Sequence, residues 1–413
     1  MRLHAEDCTA GEREAFARWL AAGFLLTLFS SFGQTFFIGL SGNEIRASFG
    51  LSGGAFGALY MLATLASAST LPFLGRTLDL MPGWKVVRFT IPLLALACIG
   101  ITLAPNLVVL TLAIYMLRLF GQGMMTEIAF TEIGRWFIAS RGKAMSLIVP
   151  GQPFGSAVLP VIVVLVDQSS GTWHLAWWLS AGLLVVIALP LVVTLMKVER
   201  VPLAAEAQSS TASTARDWTR AEVIRDPVFY MLLAGLLAPP FIATVIFFHQ
   251  GYLTELRGYS DLAFAAAFPV MSVATVGFGF VCGGLIDRFG ALRLLPFVLI
   301  PLALASLSVA AVTPVWGVYA FMALLGVSNG FTGTLMGALW PEVYGVKNLG
   351  GIRALVVAAM VLSTAVGPGI TGVLIDMGVD LPTQMFGMAT WCVIAAAVLT
   401  LASWRVRARE VRP

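Results

Sequence analysis

The sequence predicts an all-α integral membrane protein with twelve transmembrane helices in two pseudo-symmetric six-helix bundles. Three observations predict it. Of the 413 residues, 59% are hydrophobic and 11% are charged, whereas soluble globular chains carry about 25% charged residues, so water is not the main solvent. Apolar runs of 18 or more residues recur along the chain, and each is long enough to cross a hydrocarbon core of about 30 Å as a helix. Finally, the second half of the chain repeats polar and glycine landmarks of the first at a near-constant offset.

The first run, from Trp19 to about Leu40, follows a segment holding Glu6, Asp7, Glu12 and Glu14 and lacks a cleavage site of small residues. It therefore reads as a retained first span rather than a signal peptide. Counting it, six runs fall near 19–40, 53–74, 88–104, 107–133, 144–166 and 173–195. The second set falls near 228–250, 262–285, 292–312, 315–339, 351–374 and 384–404. The predicted organisation is an N-terminal segment (1–18), a six-helix bundle (19–196), a linker (197–227), a second bundle (228–404) and a tail (405–413).

The linker is the one long polar stretch, and its Ser/Thr/Ala centre reads as a flexible tether. Thr219 to Glu222 fits a capping box that opens a short helix, which Pro227 ends or hands over to the seventh span. Of the 25 Lys and Arg, all but Arg46, Arg257 and the intraspan Arg118 fall on one side when the N-terminus is placed inside. Basic residues accumulate in cytoplasmic loops, so both termini are predicted to be cytoplasmic, in a multi-pass cell inner (plasma) membrane protein. Cys8, Cys98, Cys282 and Cys392 show no paired spacing and read as free thiols.

The repeat is specific. "GLSGGAF" at 50–56 matches "GYSDLAF" at 258–264, and Gly75, Asp79, Gly142 and Pro160 match Gly283, Asp287, Gly350 and Pro368, all 208 residues on. Asp167 matches Asp376 at 209, and Gln122-Gly123 matches Asn329-Gly330 at 207. Two six-helix halves of like topology describe a transporter with its site near the bilayer midplane.

On these residues the chain resembles the major facilitator superfamily of secondary transporters. The loop signature G-x-x-x-D-[RK]-x-G is complete as Gly283, Asp287, Arg288 and Gly290, followed by Arg293. Its first copy keeps Gly75, Asp79, Lys85 and Arg88 but has Leu80 at the basic position and Gly83 one place late. "RLFGQG" at 118–123 looks like the family's Arg-then-Gly motif of the fourth span. "RWFIASRGKAMS" at 135–146, "YGVKNLGGIR" at 344–353 and "GPGITGVLID" at 367–376 are similar to the branch of monocarboxylate transporters and oxalate/formate antiporters. The resemblance implies a transporter fold working by alternating access on a small organic anion, as symporter or antiporter.

Candidate residues follow. An Asp opening a short loop can face the positive N-terminal end of another helix, so Asp79 and Asp287 are expected to latch onto the starts of spans 11 and 5, near Arg353 and Gly142. Arg288, Glu132 and Glu342 complete the gating set. Arg118 lies 11 residues into its span, about 16 Å deep at about 1.5 Å per residue. A charge at that depth should face a cavity or a partner, so it either meets the substrate or bonds neighbouring backbone carbonyls. Gln122 is one turn on, and by helical spacing Arg118, Gln122 and Glu132 form one stripe. Gln34, Gln152, Asn329 and His249 are the remaining polar candidates for substrate contact, with interhelical hydrogen bonds the alternative for each.

The function read from these residues is movement of a small, monocarboxylate-like organic anion by a secondary active or facilitative transporter. The alternative is export of amphipathic drugs or metabolites. No G-x-x-x-x-G-K-[ST] loop, H-E-x-x-H pair or Cys/His cluster appears, so no enzyme, metal site or cofactor is expected. The expected partners are the substrate with a proton or counter-anion, and the lipid bilayer. No nucleic acid is expected, and the chain is expected to be monomeric.

Overall fold

The computed structural model describes residues 10–137, 141–198, 217–345 and 348–410, and these form helices joined by short connections, with no strand among the described residues. Among the described residues, twelve helices are long and apolar enough to cross a membrane. Spans 1 to 6 are Ala17–Leu40, Gly53–Leu80, Gly83–Leu103, Leu107–Trp136, Lys143–Ser170 and His174–Met196. Spans 7 to 12 are Pro227–Phe248, Asp261–Phe289, Ala291–Ala311, Trp316–Tyr344, Gly351–Asp376 and Leu381–Arg409. Cys8 and linker residues 199–216 lie outside the described residues. Cys98, Cys282 and Cys392 are buried and free.

Several spans run beyond the apolar stretches that announce them. Span 3 begins at Gly83, behind an N-cap Pro82 whose fixed φ sets the entry angle, and the basic residues of its first two turns, Lys85 and Arg88, stay helical. Span 12 continues to Arg409, since long basic side chains can leave a helix end and still reach polar surroundings. Large apolar side chains such as Phe73 (71% exposed), Val186 (72%) and Phe280 (71%) project outward from the spans, as lipid-facing residues do.

Spans 1 and 7 are interrupted at the same register. The first helix of span 1 ends at Phe29 and passes into a 3₁₀ turn, Ser30–Gly33. The first helix of span 7 ends at Leu236, and Leu237 joins it to a new helix carrying Pro239 near its start. Positions 29 and 237 are 208 residues apart. Two further eight-residue helices, Gly42–Phe49 and Gln250–Arg257, keep that offset and close on Gly50 (φ 62°) and Gly258 (φ 66°). Both caps need left-handed backbone, which glycine adopts without strain. The repeat legible in the sequence is thus a repeat of helix breaks and caps.

Contacts divide the chain into two compact units. One comprises the described residues among 1–37, 66–155 and 166–211; the other comprises those among 38–65, 156–165 and 212–413. In the first unit Trp19 packs on Trp136 and Phe137, and Phe37 packs edge-on to Phe32 and Trp177. Thr27 donates to the Ile148 carbonyl at 2.6 Å, and Gly151 and Gly155 leave no room for a Cβ against Thr27 and Ser31. Small residues let helix backbones approach in lipid, which accounts for the glycines of span 5.

In the second unit, Gly53 and Gly57 of span 2 lie against Gly372 and Pro368 of span 11 with the same lack of room. Phe56 and Tyr60 stack on Phe248 at 4.8 and 4.7 Å. The Ser156 and Ser272 hydroxyls share a hydrogen bond of 3.1 Å. The capping box expected after the linker is present: Glu222 N–H donates to the Thr219 hydroxyl, and Thr219 N–H donates to the Glu222 carboxylate.

Candidate functional site

Inside the second unit, spans 7, 10 and 11 line an open-sided cavity of about 330 Å³. Two helical stripes make its walls. Asn329, Thr332, Gly333, Met336 and Trp340 line it from span 10, and Arg353, Val356, Val357 and Met360 line it from span 11. These are i, i+3, i+4, i+7 spacings, the rows that share one helix face. Pro239 and Pro240 line the cavity from span 7, just past the helix break. The Leu237 carbonyl there accepts from the Phe241 N–H at 3.2 Å and from the Ser363 hydroxyl of span 11 at 3.1 Å, so the break is tied to span 11 without closing the cavity. A Cβ on Gly333 would meet nothing within 4 Å, and this glycine therefore opens space on the wall.

The polar complement of the cavity is unusual for so apolar a chain. Thr332 is 6% exposed and Trp340 1% exposed, yet neither Thr332 Oγ1 nor Trp340 Nε1 has a hydrogen-bond partner. Buried polar groups are normally satisfied, and leaving one unpaired is costly. Arg353 adds a guanidinium and Asn329 an amide, and no carboxylate is among the lining residues. Asn329 and Arg353, expected from the sequence to serve binding and gating, thus share one cavity. Thr332 and Trp340 escaped the sequence reading because hydroxyls and indoles in apolar runs look ordinary; their spacing of three and eleven residues from Asn329 is the signal that places all three on one face.

A second polar focus lies in the first unit, where the 3₁₀ break of span 1 meets span 4. There span 4 widens into a π-helical segment, Leu117–Met125. Such bulges gather at functional positions. A Cβ on Gly121 would come within 2.6 Å of Gly33 Cα, so the two backbones touch through glycine. Arg118, 3% exposed, donates from Nη1 to the Gly33 carbonyl at 3.2 Å and to the Thr35 hydroxyl at 3.3 Å. Those are the contacts of a guanidinium bonded to neighbouring backbone. Gln34 sits in extended conformation just past the break, and Gln122 lies in the π segment; both, like Gln152 on span 5, are half-buried.

Regular 3.6-residue spacing does not run through the π segment, so Arg118 and Glu132 serve different neighbours rather than one stripe. Glu132, 4% exposed, packs against Gly83 at the start of span 3 and lies 3.4 Å from Arg135. Arg135 also donates to Asp79 at 2.6 Å and to the Leu78 carbonyl at 2.6 Å. Glu342, at the corresponding end of span 10, accepts from the N–H groups of Ala291 (2.9 Å) and Leu292 (3.4 Å) at the start of span 9. Carboxylates at helix N-termini are favourable. Asp287 and Arg288 are exposed, with the Arg288 guanidinium 5.2 Å from the Phe289 ring.

His249, 4% exposed, places Nε2 3.0 Å from the Thr371 hydroxyl and 3.3 Å from the Pro368 carbonyl, tying span 7 to span 11. Nearby in sequence space but missed there, Asp226 receives a fork from Arg409 (2.8 and 2.6 Å), the Tyr344 hydroxyl (3.0 Å) and Val228 N–H (3.1 Å). Burial pushes the Asp226 carboxyl up, but the Arg409, Val228 and Tyr344 hydrogen bonds and the Arg409 charge outweigh it and hold the group below its ordinary 3.8. Trp218 lies 5.5 Å from the Arg409 guanidinium and accepts through its carbonyl from Asn348 at 2.9 Å. The signal was Asp226-Pro227, an N-cap residue before a first-turn proline.

Comparison with known proteins gives the same fold. A bacterial homologue of the human lysosomal transporter Spinster, solved inward-facing and unoccupied, superposes with a TM-score of 0.68 at 16% identity, over 96% of this chain and 98% of that one. The nucleoside transporter NupG gives 0.66 at 14% identity, over 97% and 100%. An uncharacterized 38 kDa protein from the 23S RNA operon of Thermoproteus tenax is 26% identical over 394 residues, 94% of this chain and 96% of its own length. The family model of the Major Facilitator Superfamily matches residues 23–350, and the chain, a multi-pass membrane transporter rather than an enzyme, belongs to that superfamily.

Proposed function

We propose that this protein is a secondary or facilitative transporter of a small organic anion, working by alternating access. The observation that carries the reading is the cavity of spans 7, 10 and 11, whose one charged lining group is the Arg353 guanidinium and which no carboxylate lines. A guanidinium presents a fork of donors that matches a carboxylate. Neutral nucleosides, the substrates named for NupG, need no cation, and hydrophobic cations would be repelled by one. In the same proposal Asp79, Asp287, Arg288, Glu132 and Glu342 serve the conformational cycle, and both termini are cytoplasmic.

The test is counterflow into proteoliposomes preloaded with monocarboxylates, nucleosides or hydrophobic cations. Carboxylates should exchange, and Arg353→Gln should remove that exchange while leaving insertion intact. Counterflow of nucleosides or hydrophobic cations with none of carboxylates would overturn the anion reading.

A further inference from the structure

Resting on the organic-anion reading, we infer that the cavity selects an elongated amphipathic acid, with Trp340 and Thr332 as specificity-determining hydrogen-bond donors at its two ends. Span 10 closes four residues after Trp340, and span 11 opens two residues before Arg353. The indole and the guanidinium therefore lie toward the same end of the cavity. Thr332 and Asn329 lie eight and eleven residues back along span 10, about 12 and 16 Å away at about 1.5 Å per residue. Between these poles the walls are Pro239, Pro240, Met336, Val356, Val357 and Met360.

Each pole has an unmet demand. The indole N–H can only donate and is sealed in the wall here, so the group that satisfies Trp340 Nε1 as the wall opens must be an acceptor, as a carboxylate oxygen held by Arg353 is. An ammonium is excluded there. The Thr332 hydroxyl, buried and without a partner, can donate or accept, and with the Asn329 amide it suits a hydroxyl or carbonyl at the far end of the ligand. A volume of about 330 Å³ falls within the roughly 300–1,000 Å³ of sites for mid-sized organic ligands. A two- or three-carbon acid at Arg353 would leave the apolar wall and the Thr332 pole unfilled. A polar site denied its matching group discriminates strongly, because its own buried donors stay unpaired.

The test is dissociation constants, measured on the purified full chain by ligand-induced thermal stabilisation, for 3-(4-hydroxyphenyl)propionate, 3-phenylpropionate and lactate. The inference expects the hydroxylated acid to bind about tenfold tighter than 3-phenylpropionate, and lactate to bind weakest. Thr332→Val should bring the ratio of the two aromatic acids to about one. Trp340→Phe, which keeps the ring volume, should weaken both about fivefold or more. Lactate binding as tightly as the aromatic acids, with neither substitution changing any constant, overturns the inference while the anion reading stands. If no carboxylate binds, the anion reading itself falls. Should Trp340→Phe fail to fold, the wild-type ranking and the Thr332→Val ratio decide the matter alone.

Discussion

Asp376 Oδ2 accepts from the Gly54 N–H at 2.8 Å, so the last residue of span 11 caps the first turn of span 2. Oδ1 takes the Gly53 N–H at 3.0 Å, and a carboxylate at a helix N-terminus contributes about 0.3–1 kcal/mol. Beneath it, Gly57 has no room for a Cβ against the Pro368 carbonyl. Backbone contact and charge hold the same seam.

Weakening that seam should therefore expose it. A cysteine at Ser52, in a background without native cysteines, is expected to react several-fold faster with an impermeant thiol reagent when Asp376→Asn or Gly57→Ala is added. Each should slow transport by changing the balance of conformations rather than affinity. Unchanged labelling in both variants would show that the contact does not gate the seam.

Arg118→Gln should cost about 1.5–3 kcal/mol, the range for a hydrogen bond to a charged group, because the Gly33 carbonyl at the break of span 1 loses its guanidinium. Arg118→Lys should recover part of this, since one ammonium can still reach the carbonyl. Thermal unfolding checks it. A Gln variant with wild-type stability and abolished carboxylate binding would instead put Arg118 at the substrate.

The fold was legible because lipid imposes a simple code: runs of apolar residues, glycine and Asp at repeated loop positions, and basic residues at span ends. The 208-residue offset even located Gly50 and Gly258, whose identical caps the sequence match "GLS" against "GYS" foreshadows. The breaks were not legible. Ser30 to Gly33 carries no proline, and its unwinding depends on Gly121 and Arg118, which lie about 90 residues away along the chain. The cavity was half legible: Asn329 stands out as an amide in an apolar run, whereas Trp340 becomes notable only when its indole N–H is found buried without an acceptor. Glu132 and Glu342 were noticed as charges, but that Glu342 caps span 9, and that Glu132 packs at the start of span 3, required the packing of neighbouring spans.

Asp226 gives a pH signature. Its folded carboxyl lies below the ordinary 3.8, so the stability it contributes is fully present above that value and is lost as pH falls through the depressed one. Wild-type protein should lose thermal stability as pH falls below about 3.9, the ordinary Asp value, and on through the depressed one. Asp226→Asn should be less stable near neutrality, because Arg409 loses its fork, and its stability should fall less steeply with acid. Parallel pH profiles for the two proteins would remove Asp226 from the account.

Orientation is open to a direct measurement. If both termini are cytoplasmic, as proposed, a cysteine at Ser169 should be labelled by an impermeant reagent in intact cells, and one at Ala221 only after permeabilisation. The reverse pattern would invert the topology.

Coupling follows from where the carboxylates are. No lining residue of the cavity is acidic, Glu132 lies beside Gly83 and Arg135, and Asp226 is bound by Arg409. His249 holds spans 7 and 11 together through Thr371 and Pro368. A proton carrier in the membrane ordinarily relies on a titratable group facing the pathway, and the cavity offers none. Exchange of one anion for another, or facilitated flow, is the expected mode: preloaded substrate should drive counterflow in proteoliposomes with equal pH on both sides. His249→Gln should keep that counterflow, with at most a loss of stability, since a glutamine can still bridge the Thr371 hydroxyl. Flux that depends strictly on an inward proton gradient in the wild type and disappears in His249→Gln would make the imidazole the proton site, and strict dependence that survives the substitution would direct the search to Glu127 and Glu132.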